Sequence, residues 1–160
     1  NGFKGPNSEA RNGKQYDIRS FKVAKFSTGC AGKDINGIGC VYQLPSYSPI
    51  KFGSEEMKKW DPNWTEEKVG SYARWGNAWA GAKKACDELG MSLPDKSKLQ
   101  SLAKKTTAEK EQLGLPTSGY FWSSSEYDAD EAFNVYINNG YAGLNNKSSH
   151  YETNVLCVGD

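Results

Sequence analysis

The sequence predicts an α+β domain, with strands early, two helices in the middle and a terminal meander of antiparallel strands. Three observations predict it. Apolar and polar residues alternate between positions 15 and 26, apolar residues recur every three or four positions between 73 and 103, and after Gly119 short aromatic stretches are separated by Asn-, Asp- and Gly-rich turns. The 160 residues, 37% hydrophobic and 24% charged, suffice for one core, which excludes a disordered or coiled-coil chain.

Residues 1–14, rich in Gly, Asn and Lys and without period, read as a flexible lead-in to a single domain over residues 15–160. In that domain Tyr16, Ile18, Phe21, Val23 and Phe26 alternate with polar neighbours and slip once at Arg19-Ser20, as one or two strands with a bulge would. Pro45 and Pro49 confine residues 41–52 to an edge strand or an irregular connection. Residues 54–65 read as a turn and short helix anchored by Trp60 and Trp64. The clearest helix spans 73–89, where Trp75, Trp79, Ala82, Cys86 and Leu89 make one apolar stripe and Gly90 stops it. Asp95 then caps a second helix that buries Leu99, Leu102 and Ala103 and shows Lys96, Lys98, Lys104, Lys105 and Lys110 to solvent. The stretches 120–127, 132–138, 141–145 and 151–158 form the meander.

Twenty Lys and Arg against 19 Asp and Glu leave a net charge of +1, so no global field favours nucleic acid. No apolar run is long enough to insert in a bilayer. The chain opens Asn1-Gly2-Phe3 with no signal-peptide pattern, so an export signal or anchor is expected outside this sequence. Four cysteines and one histidine supply a thiolate–imidazole metal site poorly, and the even cysteine count reads as a disulfide framework of an extracellular or cell-surface protein. Three pairings are open to them. The Gly-rich loop with Gly29, Gly32, Gly37 and Gly39 favours Cys30 with Cys40, leaving Cys86 with Cys157.

The string Trp79-Ala80-x-Ala82-x-x-Ala85-Cys86-x-x-x-Gly90-x-x-Leu93-Pro94, then Leu99, Phe121-Trp122-Ser123-Ser124-Ser125-Glu126-Tyr127, Ala132-Phe133 and Val155-Leu156-Cys157-Val158, resembles the bacterial C-type-lectin-like domains. Similar members are the Fibrobacter-type major paralogous domains, which share the upstream Gly13-Lys14-x-Tyr16, and the lectin-like C-terminal domains of collagen-like adhesins. The resemblance covers residues 13–26 and 72–158, and residues 41–70 read as an insertion. It implies a C-type-lectin-like fold, two helices flanking an antiparallel sheet, with a long helix-to-strand disulfide and a ligand surface on the terminal meander. Calcium is not implied, because the carboxylate triplets of the sugar-binding lectins do not occur here. The acidic turn Asp128-Ala129-Asp130-Glu131 reads as a solvated turn.

No catalytic residue, cofactor or metal site is assigned. Ser123, Ser124 and Ser125 lack a nucleophile elbow and read as strand hydroxyls that satisfy backbone groups around Trp122, and His150 sits in the polar turn Lys147-Ser148-Ser149-His150-Tyr151. The meander instead carries Tyr127, Asn134, Tyr136, Asn138, Asn139, Tyr141, Asn145, Asn146, Ser148, His150 and Tyr151, the rigid aromatics and adaptable amides of binding loops. These are the candidate ligand residues, and their Tyr and Asn side chains are expected to point outward while Trp122, Val135, Ile137 and Val155 point inward. The same Asn, Tyr and Ser bias is similar to the variable regions of retroelement-diversified lectin-like proteins. A second candidate surface is the lysine face of the second helix with Lys83 and Lys84, where a sulfated polysaccharide would be held. The expected function is that of an adhesin-like domain recognising a glycan or a protein, without calcium. The alternative is the structural head of a pilus-like or cell-surface assembly, with self-assembly through the meander.

Overall fold

A computed structural model describes residues 30, 32–45, 47–65, 76–149 and 153–159. The lead-in, the strands expected between positions 15 and 26, Trp75, His150 and Tyr151 lie outside the described residues. The class is α+β, and the chain forms two compact units that draw on separate stretches of sequence.

Among the described residues, the first unit takes 30, 32–42, 86–92 and 157–159. Its hairpin pairs β1 (Lys33–Ile35) with β2 (Gly39–Gln43) in the register Lys33↔Val41, Asp34↔Cys40, Ile35↔Gly39. The final strand β7 (Leu156–Gly159) lies on the other side of β2, and Ser92 bridges to Val158. Gly39 has a φ of 110°, and a Cβ there would overlap the Gly159 carbonyl, so only glycine lets the two strands close. Both disulfides fall in this unit and pair as expected, Cys30 with Cys40 and Cys86 with Cys157.

Among the described residues, the second unit takes 43–45, 47–65, 76–85, 93–149 and 153–156. Ser54 starts α1 (Glu55–Trp60) by accepting from the Met57 amide, and Met57, Trp64, Ile50 and Ala80 form a small core with Phe52 edge-on to Trp64. Helix α2 (Ala78–Glu88) begins five residues later than its apolar stripe suggests. The reason is Asn77, whose Oδ1 accepts from the Ala80 amide as an N-cap, preceded by Gly76 at a φ of 79°. The helix also ends at Glu88, leaving Leu89 exposed where a buried stripe residue was expected.

The expected second helix is two. Asp95 caps α3 (Lys96–Ala103), which buries Leu99, Leu102 and Ala103 as expected. Thr106 and Glu109 then form a reciprocal capping box that opens α4 (Thr107–Leu113). This break turns Lys110 away from solvent, and its Nζ donates to the Ile137 carbonyl at 2.6 Å, so the continuous lysine face does not form.

The sheet of this unit runs β5-β4-β3-β6, with β3 (Tyr120–Glu126), β4 (Glu131–Tyr136), β5 (Ala142–Asn146) and β6 (Thr153–Asn154). Strands β3 to β5 are the expected antiparallel meander. The last stretch departs from it, because β6 pairs parallel to β3 and the chain then enters β7. Between Trp122 and Glu126 the β3–β4 register shifts, and the serines fill the gap. Ser123 Oγ donates to the Phe133 carbonyl, while Ser125 Oγ accepts from the Lys96 amide in the first turn of α3. Trp122, Val135, Ile137 and Val155 are buried as expected.

One feature of the core is polar. Lys147, expected in a solvated turn, is fully buried with Asp61 and Asn77. Its Nζ meets Asp61 and Glu126 and lies 4.6 Å from the centre of the Trp79 ring. Asn63 reaches Glu126 from the turn after α1, and Trp79 Nε1 donates to the Ser123 carbonyl. Three distant stretches therefore share one buried ion cluster.

Candidate functional site

Cross-strand partners share a sheet face, and the register therefore groups the meander side chains. Tyr120 faces Tyr136 and Trp122 faces Asn134, while Asn134 faces Gly143 and the Tyr136 amide donates to the Tyr141 carbonyl. Tyr120, Tyr136 and Tyr141 thus stand on one face at one end of the sheet. Tyr120 and Tyr136 stack with centroids 4.7 Å apart, and Tyr141 is 63% exposed. A Cβ at Gly143 would come within 3.4 Å of the Tyr141 ring and 3.1 Å of Asn134 Oδ1, so the glycine leaves room for that ring.

Further along the same face the sheet is covered. Trp122 Nε1 donates to the Tyr47 hydroxyl at 3.0 Å, and burial pushes the Tyr47 phenol up to about 12 against that hydrogen bond. Asn145 Nδ2 donates to Thr153 Oγ1. The tyrosine end is the part of this face left open.

The turn that carries it is held from below by two helices. Lys110 Nζ donates to the Ile137 carbonyl, Gln100 Nε2 donates to the Gly140 carbonyl at 2.9 Å, and Gly140 at a φ of 84° comes against Ala103. Asn138 Oδ1 accepts from the Gly119 amide and Asn139 Oδ1 from the Tyr141 amide, so both amides on this exposed turn have fixed orientations. Asn154 reaches the Tyr120 carbonyl from β6. A contact surface built this way loses little freedom when something binds it.

The candidate residues therefore divide. Tyr136, Asn138, Asn139 and Tyr141 come together at the tyrosine end. Tyr127, edge-on to Phe133 at 5.8 Å, and Asn145 and Asn146 lie toward the opposite end of the strands. Asn134, expected outward, and Ser148, a candidate ligand residue, are buried, Asn134 because it sits between Trp122 and Gly143 in the middle of the covered face. Tyr120 is the residue that reading the sequence misses; its only local signal is its place two positions before the buried Trp122. The lysines disperse: Lys83 donates to the Trp60 carbonyl, Lys84 pairs with Glu56 and Lys96 stands over Phe133. The acidic turn is an Asx turn, with Asp128 Oδ1 accepting from the Asp130 and Glu131 amides. Among the described residues no group of three or more His, Cys, Asp or Glu is placed to hold a metal ion.

These features define a disulfide-stapled α+β domain that presents a braced, tyrosine-rich turn at one end of its sheet. Residues 50–158 match the model of the InvE-type family described as an adhesion domain, and the chain belongs to that family. The match begins inside the stretch 41–70, at the strand-like contact of Ile50 with Asn77. No curated protein matches the chain. Among solved structures it is similar to the Yersinia pseudotuberculosis adhesin InvE, at 25% identity and a TM-score of 0.39, over 47% of this chain and 22% of the adhesin. The chain thus spans less than a quarter of that protein's length. Membership makes this an adhesin-like domain of the cell surface or the extracellular space and points away from an enzyme. No helix among the described residues is long and apolar enough to cross a membrane.

Proposed function

We propose that the domain binds an extracellular glycan or protein through the tyrosine end of its terminal sheet, with Tyr120, Tyr136 and Tyr141 as the contact area and Asn138, Asn139 and Asn154 as the hydrogen-bonding rim. The observation that carries this reading is the grouping of three tyrosines on one open end, two stacked and one 63% exposed, on a turn braced by Lys110 and Gln100. Aromatic anchors of this kind dominate interface energies. In this reading the tyrosine end corresponds to the variable surface of the lectin-like proteins that the sequence resembles.

The test is a glycan array together with a cell-binding assay of the purified domain, wild type against Tyr141→Ala. Because Tyr141 is largely exposed, the variant should melt within about 2 °C of wild type. It should also lose roughly tenfold or more in affinity. A variant that binds as wild type does moves the site elsewhere. Calcium takes no part in this proposal: chelator should leave both melting and binding unchanged, and a fall of several degrees would overturn that point.

A second reading, the head of a surface assembly, is favoured by one observation. On the opposite face Leu144 and Tyr127 are exposed on either side of Phe133, an apolar patch that a second copy could cover. A sizing column decides between a monomer and such an assembly.

A further inference from the structure

Lys147 Nζ lies 3.0 Å from Asp61 Oδ1 and 3.0 Å from Oδ2, and Glu126 Oε2 touches the same nitrogen. The Lys147 and Asp61 side chains are fully buried, whereas Glu126 keeps 27% exposure. Both reacting groups are fixed by their own backbones. The Asp61 amide donates to the Met57 carbonyl, the Lys147 amide donates to the Asp130 carbonyl, and the Lys147 carbonyl accepts from the Trp79 amide. Asn77 Nδ2 donates to Asp61 Oδ2 at 2.9 Å, and the Trp79 ring shields the ammonium.

We propose that Lys147 and Asp61 are joined by an intramolecular amide bond, which this buried cluster forms by itself with Glu126 as the proton carrier. An amine and a carboxyl held at contact distance in a dry pocket have the proximity and the exclusion of water that condensation requires. Burial pushes the Asp61 carboxyl above the usual carboxylate range, and the Glu126 charge adds to this against the hydrogen bonds from Asn77 and Lys147. The neutral acid that this favours is the electrophile.

The step balances without any oxidant or reductant. Glu126 takes one proton from the Lys147 ammonium, and the freed lone pair attacks Asp61 Cγ. The C=O electron pair moves onto Oδ2, where the Asn77 amide donates to it. Glu126 returns its proton to the Oδ1 hydroxyl, the electron pair on Oδ2 re-forms the carbonyl, the Cγ–Oδ1 bond breaks, and one water leaves. Glu126 then takes the remaining surplus proton from nitrogen and passes it to solvent at its exposed edge. The buried ammonium and the neutral carboxyl become one neutral amide, and the one remaining charge is the Glu126 carboxylate in reach of water.

The arrangement differs from an ordinary buried ion pair in a property that can be weighed. Intact-mass measurement of the full chain, after reduction of the disulfides, should read one water lighter than the sequence requires. Proteolysis should release a branched peptide joining residues 61 and 147. Lys147→Arg and Glu126→Gln should each read the full sequence mass. A wild-type chain at full mass overturns the proposal, as does a lost water that maps to a linear peptide or that persists in Lys147→Arg.

Discussion

The two disulfides should not count equally, and the structure says by how much. Cys86–Cys157 closes 71 residues and Cys30–Cys40 closes 10. The chain-entropy relation assigns about 4.4 kcal/mol to the long loop and about 2.7 kcal/mol to the short one. Packing widens the gap, since Cys86 and Cys157 are both fully buried while in the short pair Cys40 is buried and Cys30 is exposed, so removing the sulfurs of the long pair leaves the larger void. For a chain of this length about 3 °C of melting temperature follows each kcal/mol, which predicts a fall of roughly 13 °C for Cys86→Ala with Cys157→Ala and roughly 8 °C for Cys30→Ala with Cys40→Ala. The assay is thermal melting without reductant, followed by both near- and far-ultraviolet circular dichroism so that loss of two-state behaviour would show. If the short-loop variant lost as much as the long-loop variant, the entropy argument would be refuted.

Much of the fold is legible where the signal is local. Asp95 ahead of Leu99, Leu102 and Ala103 announces α3, and the Gly-rich loop announces the Cys30–Cys40 staple. The rest depends on partners far away in sequence. Lys147 reads as a turn residue because its neighbours are Asn and Ser, yet its partners Asp61 and Glu126 stand 86 and 21 positions away. Lys110 reads as part of a lysine stripe, although Thr106 and Glu109 carry a capping-box pattern that breaks the helix first. At the candidate site the residue types are legible and their grouping is not. Only the register that sets Tyr120 against Tyr136 and Asn134 against Gly143 separates the open end from the covered middle.

Two further outcomes follow from single residues. Tyr47 is neutral and partly buried in the folded chain, with its phenol raised from 10.0 to about 12. Its contribution to stability is therefore complete below pH 10 and is lost as pH rises toward 12; urea midpoints across that window should fall more steeply for wild type than for Tyr47→Phe. Thr106→Ala removes the cap of α4 and should cost about 1 kcal/mol, read as a fall of roughly 3 °C on melting.

The meander also separates two tasks along its length. Tyr120 opens β3 at the tyrosine end, and Glu126 closes the same strand beside Lys147, six residues on. At a rise of about 3.3 Å per residue the two ends stand roughly 20 Å apart. Side chains at the open turn are braced through backbone carbonyls, those of Ile137 and Gly140, and not through the tyrosine rings themselves. Substitutions at Tyr141 or Asn138 therefore leave the buried cluster untouched, and the β3–β4 register shift between Trp122 and Glu126 separates the two ends of the strand. On the proposed function, this division lets the tyrosine end change its side chains without changing its scaffold: an error in Lys147, Asp61 or Glu126 should cost folding, and an error in Tyr141 should cost binding.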